Sequence, residues 1–288
     1  MNTQAPHQRS VIVGIDGSRE ALCALHWAAT EAERRRWPLR ITYVTSADDR
    51  EVAQKMVDAA VADVRETRSG VDVTGDCVSG DPAAVLARTA TERDILAVGS
   101  RGHGRIASVL VGSVSSAVAQ HAICPVVVVR APLPGHPDGT GGVVLGVDGS
   151  EASMAATGFA FEAASVRGLP LTVVHAVWDP YTESQAVVAV LSDSRRVVVD
   201  DSELLDVAET IAGWREQFPD VEVVTRYENG RPDRVLADAS SRADLLVVGA
   251  RGRGPAATLS LGSVSRQVLK RAHCPVAVVR SRPRARSH

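Results

Sequence analysis

The chain has 288 residues, 45% of them hydrophobic and 23% charged, and 32 basic against 34 acidic side chains leave a net charge of −2. These figures exclude wholesale disorder and a general polyelectrolyte partner, and the length suggests about two domains. Four Trp, three Tyr and three Phe are the only aromatic residues. Stacking platforms for single-stranded nucleic acid therefore have little material, and the core falls to Val, Leu, Ile and Ala, as suits a parallel sheet covered by helices.

Lys occurs only at Lys55 and Lys270, an Arg bias that resembles a GC-rich bacterial genome. Cys23, Cys77, Cys124 and Cys274 form no CxxC or CxxH pair, and the eight His make no HExxH spacing. The expectation is isolated buried thiols and no direct metal ligand. The polar N-terminus and the lack of an apolar run of about 18 residues predict neither an export signal nor a membrane span, hence a cytoplasmic protein.

In chain order, Val11–Ile15 reads as a short apolar strand ended by Asp-Gly, and a helical pattern follows to about Arg36. A strand near 39–45, a helix near 50–68 and a strand near 71–78 come next. Gly80-Asp81-Pro82 starts a helix over 83–92. A strand over 95–98, a helix over 113–121 and a final strand over 125–129 complete the series. Residues 131–142 are a Pro/Gly-rich linker without periodicity. Then the pattern begins again.

Val11–Ser18 returns as Val143–Ser150, and Asp94–Gly102 returns as Asp244–Gly252. Residues 80–130 laid on 230–280 without gaps share 25 identities in 51 positions, which marks a duplication. The first offset is 132 and the second 150, so 18 residues are inserted in the second copy, around Trp178 to Asp200. The domains are predicted at 1–130 and 143–280, with a solvated basic tail over 281–288. Short apolar strands alternating with helices predict two tandem open parallel-sheet, Rossmann-like α/β domains, each of five strands with helices on both faces.

In such sheets ligands bind beyond the carboxyl ends of the strands, where the strand order reverses. Two loops qualify in each copy. Asp16-Gly17-Ser18 follows the first strand, as Asp148-Gly149-Ser150 does in the second copy. The other loop has the pattern G-x2-G-x9-G-S, as Gly99, Gly102, Gly112 and Ser113, repeated as Gly249, Gly252, Gly262 and Ser263. Glycines let main-chain N–H groups approach an anion, and Gly-Ser opening a helix adds free N–H groups and the helix dipole. Ser113 and Ser115 can add hydroxyls, and Asp16 can accept from ribose. Each loop alone is also met as a plain turn or cap. Both together, twice, point to a nucleotide.

The paired V-G-x-D-G-S starts, the G-x2-G-x9-G-S loops and the closing Cys124-Pro125 and Cys274-Pro275 strands resemble the tandem, ATP-binding form of the universal stress protein family. The resemblance covers almost the whole chain and implies an adenine nucleotide alpha hydrolase-like fold. It implies ribose contacts at Asp16 and Asp148 beside Gly17 and Gly149, and adenine against the main chain of Val44 and Ala176. Gly99, Arg101, Gly102, Gly112, Ser113, Val114 and Ser115 would surround the phosphates, as would Gly249, Arg251, Gly252, Gly262, Ser263, Val264 and Ser265. ATP, with Mg²⁺, is the implied ligand. Pairing through the last strands, 125–130 and 275–280, is implied for a homo-oligomer and as the domain–domain contact, with an unidentified regulatory protein as partner.

No GxxxxGK[ST] or Ser-His-Asp arrangement is present, and His103, in the glycine loop, has Arg253 as counterpart. The expectation is a nucleotide-dependent regulatory or protective factor in bacterial stress or growth arrest, not an enzyme. A nucleotide-free interaction module and an ATP-hydrolysing enzyme of related fold are the alternatives.

Overall fold

The protein is described from a computed structural model, which covers residues 8–45, 49–102, 111–131, 141–178 and 201–281, with the main chain alone over 201–206. The linker over 132–140, the insertion over 179–200, His103, Arg253 and most of the basic tail lie outside the described residues.

The first repeat runs β1 (Val11–Ile15), α1 (Arg19–Arg35), β2 (Leu39–Thr45), α2 (Arg50–Thr67), β3 (Val73–Ser79), α3 (Pro82–Thr89), β4 (Ile95–Gly99), α4 (Ser113–His121) and β5 (Val126–Val129). The second runs β6 (Val143–Val147), α5 (Glu151–Arg167), β7 (Leu171–Val177), α6 (Asp201–Gln217), β8 (Val223–Asn229), α7 (Pro232–Ala239), β9 (Leu245–Gly249), α8 (Ser263–Arg271) and β10 (Val276–Val279). Local chemistry explains the starts. Ser18 Oγ accepts the Ala21 N–H at 3.2 Å to cap α1, Ser150 Oγ accepts the Ser153 N–H at 3.2 Å to cap α5, and Asp81 Oδ1 accepts the Ala84 N–H at 2.8 Å ahead of Pro82 in α3. Along α1 the buried apolar residues are Ala21, Ala24, Leu25, Ala28, Ala29 and Ala32, a helical stripe of mostly small side chains that lets the helix lie close on the sheet.

The ten strands form one sheet in the order β3-β2-β1-β4-β5-β10-β9-β6-β7-β8. Within each repeat all pairings are parallel, and the open α/β architecture expected from the sequence is present twice. The repeats join where β5 meets β10 antiparallel, with Val126 opposite Val278, Val127 opposite Ala277 and Val128 opposite Val276. This refines the expectation about the last strands. Their pairing is made within one chain, and both edges of β5 and of β10 are already hydrogen-bonded. A homodimer through these strands would have to open that seam. The sheet edges are β3 and β8, whose residues alternate in exposure, whereas β5, β9 and β10 are buried throughout.

One core layer lies between the sheet and α1, α2, α5 and α6, and the other lies under α3, α4, α7 and α8. Both continue across the junction. On the first face, buried Glu31 accepts Arg35 Nε at 2.5 Å and Arg167 Nη2 at 2.6 Å, while Arg35 Nη1 reaches Glu162 at 2.7 Å and Arg167 Nε reaches Asp244 at 2.8 Å. Burial pushes the Glu31 carboxyl up, but the Arg167 and Arg35 charges and their hydrogen bonds more than offset it and hold it below the ordinary range. On the second face, Arg130 donates to the carbonyl of Leu269 in the last turn of α8, and Arg280 donates to those of Gln120 and Ala119 at the end of α4. Cations at helix C-termini meet the orphan carbonyls and the negative dipole end. Among the described residues, no helix is long and apolar enough to cross a membrane.

Asp94 pins the foot of β4 to that of β1. Its carboxylate accepts the N–H and Oγ–H of Ser10, each at 2.8 Å, and the N–H and Oγ–H of Thr91, each at 2.7 Å. Burial raises its pKa, and these four bonds together bring it below the ordinary 3.8. A depressed carboxylate stabilises the fold fully above its unfolded-state value, and that contribution drains as pH falls through the lower folded value. Asp94→Ala is therefore expected to destabilise by about 2–4 kcal/mol at pH 7 and to flatten the acid limb of stability against pH, measured by urea melts. Burial pushes the thiols of Cys124 and Cys274 up to about 12. In a native thiol titration Cys23 and Cys77, both partly exposed, are expected to react, and Cys124 and Cys274 only after unfolding.

Candidate functional site

In each repeat the chain leaves the first strand toward one side and returns to the fourth on the other, so a crevice opens beyond the ends of β1 and β4. Gly17 turns the chain out of β1 at φ 85°, and Gly149 does the same after β6 at φ 72°. The Ser18 N–H donates to Asp16 Oδ1 at 2.9 Å and the Ser150 N–H to Asp148 Oδ1 at 3.0 Å, which aims each carboxylate across the crevice. Gly102 and Gly252 pass so close that a Cβ on either would run into Oδ2 of Asp16 or Asp148. A Cβ at Gly99 would come within 2.7 Å of the main chain of Glu20, and one at Gly249 within 2.8 Å of that of Ala152. The glycine pattern is thus a packing requirement of strand end against helix start.

The loop closes when the Gly112 N–H donates to Ser100 O at 2.7 Å and the Gly262 N–H to Ala250 O at 2.9 Å. These glycines are the N-caps of α4 and α8 and make no side-chain cap. The first hydrogen bond inside α4 comes from Ser116 to Gly112 O at 3.0 Å, so the N–H groups of Ser113, Val114 and Ser115 lie ahead of the helical ladder. The serines divide by role. Ser115 Oγ donates to Gly99 O at 2.9 Å and Ser265 Oγ to Gly249 O at 2.6 Å, both buried, whereas Ser113 and Ser263 are exposed. The hydroxyl expected from Ser115 as a ligand contact has its proton committed to the loop.

Asp16, Val44, Gly99, Arg101, Gly102, Gly112, Ser113, Val114 and Ser115 line one cavity of about 420 Å³. Asp148, Ala176, Gly249, Arg251, Gly252, Gly262, Ser263, Val264 and Ser265 line its counterpart of about 490 Å³. Gly17 lines neither cavity and acts through the turn; Gly149 lines a separate cavity of about 500 Å³ between α5 and α6. Sequence reasoning missed the apolar wall. Leu86 of α3 and Leu236 of α7 lean over Gly14 and Gly146, where a Cβ would meet Cδ1 at 2.7 and 2.8 Å, and Thr42 and Val98 extend the first wall as Val174 and Val248 extend the second. A glycine inside a strand signals such close approach, and the V-G-x-D signature contains one.

Electrostatically the copies differ. Arg101 Nη2 pairs with Glu20 Oε1 at 3.0 Å. At the position matching Glu20 stands Ala152, and Arg251 Nε is buried without a hydrogen-bond partner among the described residues. Behind each loop sits the latch arginine: burial first, then neighbouring Arg101, lowers the pKa of Arg130, and burial then Arg251 lowers that of Arg280. Burial, then the Asp16 charge, raises that of Tyr43. Among the described residues no group of three or more His, Cys, Asp or Glu side chains could hold a metal ion.

Strand order, switch-point glycines and glycine-capped helices define a tandem doubly wound α/β protein. The model of the universal stress protein family matches residues 8–130 and again 141–280, and the chain belongs to that family, which supports a stress-related role. A universal stress protein of Mycobacterium tuberculosis is 36% identical over 298 residues, spanning 95% of this chain and 97% of its own. One of Mycolicibacterium smegmatis is 32% identical over 298 residues, spanning 97% and 99%. In fold, the crystal structure of a universal stress protein from Archaeoglobus fulgidus superposes with a TM-score of 0.70 at 20% identity, covering 96% of this chain and 99% of that one.

Ser115→Ala and Ser265→Ala each remove a buried loop-to-helix hydrogen bond and are expected to lower stability by about 1 kcal/mol, whereas Ser113→Ala leaves it unchanged. Chemical denaturation of the three variants checks the division.

Proposed function

We propose that the chain binds an adenine nucleotide, ATP with Mg²⁺, in one or both of the crevices, and that the nucleotide acts as a switch ligand for a regulatory or protective role under stress. The observation that carries this reading is the gradient along each cavity. Following the strand order β2-β1-β4, Val44 of β2 lies at one side, where with Leu86 it suits a flat apolar base; Asp16, after β1, lies in the middle as an acceptor for a diol; the glycines after β4 and the N–H groups that open α4 lie at the other. An apolar ring, a sugar and a polyanion in that order describe a nucleotide. Both cavities fall in the size range of small-molecule sites. Gly102 and Gly252 form a cradle that any side chain would fill, so the main chain itself can meet the phosphates. Mg²⁺ would arrive with the phosphates it bridges.

The reading is of a ligand site without turnover as its purpose. Ser115 and Ser265, the buried hydroxyls beside the helix start, brace the loop instead of standing as nucleophiles. A switch needs a ligand that favours one loop arrangement by differential affinity, and these backbone donors supply it only when the loop is closed.

Calorimetric titration of the full chain with Mg·ATP tests this. Binding is expected, and Gly102→Asp together with Gly252→Asp is expected to weaken it by about a hundredfold or more, because each carboxylate would sit where phosphate is held. Absence of binding at millimolar ATP, or unchanged affinity in the double variant, overturns the reading.

A further inference from the structure

The two crevices are built alike in main chain and apolar wall, and they differ in charge. Two substitutions between the copies fall on the phosphate side. Glu20, at the start of α1, neutralises Arg101, whereas with Ala152 at the matching position no described carboxylate pairs Arg251. Ser116 of α4 is matched by Arg266 of α8, an exposed residue that lines the second cavity and donates Nη2 to Leu261 O at 3.0 Å.

The Glu20 side chain is only 16% exposed, so its charge is felt at the first loop with little screening. Among the described residues the first cavity is therefore lined by Asp16 and by one arginine, Arg101, which Glu20 pairs from behind the lining. The second presents Asp148 and two arginines, Arg251 with a buried Nε that no described group satisfies. An anionic oxygen entering the second crevice meets two lining arginines, Arg251 and Arg266, that no described carboxylate pairs. A phosphate chain entering the first crevice must instead displace Glu20 from Arg101 or tolerate it.

Resting on the nucleotide reading, we infer that the two domains sort ligands by charge. The second crevice is the polyphosphate site. The first accepts adenine nucleotides of lower charge, at the level of the monophosphate, and discriminates against the triphosphate. Glu20 and Arg266 are the specificity-determining residues. One chain could then register the ratio of triphosphate to monophosphate, with each form occupying its own domain.

The test uses the full chain with one site disabled at a time: Gly252→Asp leaves the first crevice, Gly102→Asp leaves the second. Each is titrated with ATP and with AMP in Mg²⁺ buffer. The preference for ATP over AMP is expected to be at least about tenfold greater at the second crevice, with a steeper loss on adding salt. In the first-crevice protein, Glu20→Gln, which keeps the side chain's shape, is expected to raise ATP affinity about tenfold and AMP affinity by less than about threefold. In the second-crevice protein, Arg266→Ser is expected to lower ATP affinity selectively. Equal preferences at the two sites, or an ATP preference that Glu20→Gln does not move, overturn the inference while leaving nucleotide binding intact. Failure of the unmodified chain to bind either nucleotide overturns the reading beneath it, and the two failures are thereby told apart.

Discussion

The antiparallel pairing of β5 with β10 is the contact on which the molecule depends. Each repeat ends in a short, Val-rich strand buried on both faces. Left as an edge, such a strand would offer a row of unpaired amides with apolar flanks, a template for aggregation. Pairing the two closes both edges at once and makes one sheet of two. The consequence is geometric. α1 and α5 are brought together on one face and α4 and α8 on the other, so residues that would be solvated in a lone repeat have to satisfy one another. The Glu31 cluster and the crossed Arg130 and Arg280 bonds are the result.

The crossed arginines also place the crevices within this frame. α4 begins at the first crevice and ends under Arg280, which follows β10 of the other repeat and neighbours Arg251 of the second crevice. α8 is held in the mirror sense by Arg130, beside Arg101. Each glycine-capped helix is thus fixed at its far end by the opposite domain. The helix cannot slide without breaking a contact at the seam, even though its near end is made from glycine and main chain.

Local chemistry made much of this readable from residues alone. Asp-Gly-Ser after an apolar run, a glycine loop before Gly-Ser and Pro after Asp81 each act over a few positions, and the duplication allowed every reading to be checked twice. Contacts distant in sequence left weaker traces. Leu86 leaning over Gly14 joins α3 to β1, and only the glycine inside a strand hinted at it. Glu20 reads as an ordinary acidic residue in a helix's first turn; its pairing with Arg101 depends on how β4 returns beside α1. The last strands were recognisable as pairing elements, but whether a strand pairs with its internal repeat or with another chain is decided by linker reach, which composition does not reveal.

Duplication within one chain also permits an arrangement that identical subunits cannot adopt. Near the pseudo-twofold axis, equivalent positions face one another, and Arg35 and Arg167 are equivalent. Two buried guanidiniums converging on a dyad need compensation, and burying one unpaired charge is severely destabilising. In a homodimer any carboxylate placed to serve them would itself be doubled, bringing two buried acids together. Here Glu31 bonds both arginines, and its equivalent in the second repeat is Ala163. Arg35 Nη1 also reaches Glu162 and Arg167 Nε reaches Asp244, while Arg35 Nη2 finds no partner among the described residues; each acid is again singular in this role, since the residue matching Glu162 is Thr30, and Asp94, which matches Asp244, is occupied by Ser10 and Thr91. The seam is therefore held by an asymmetric charge set on a symmetric backbone. Once the two halves are covalently linked, each position near the axis is free to change independently of its twin, and the same freedom separates Glu20 from Ala152 at the crevices.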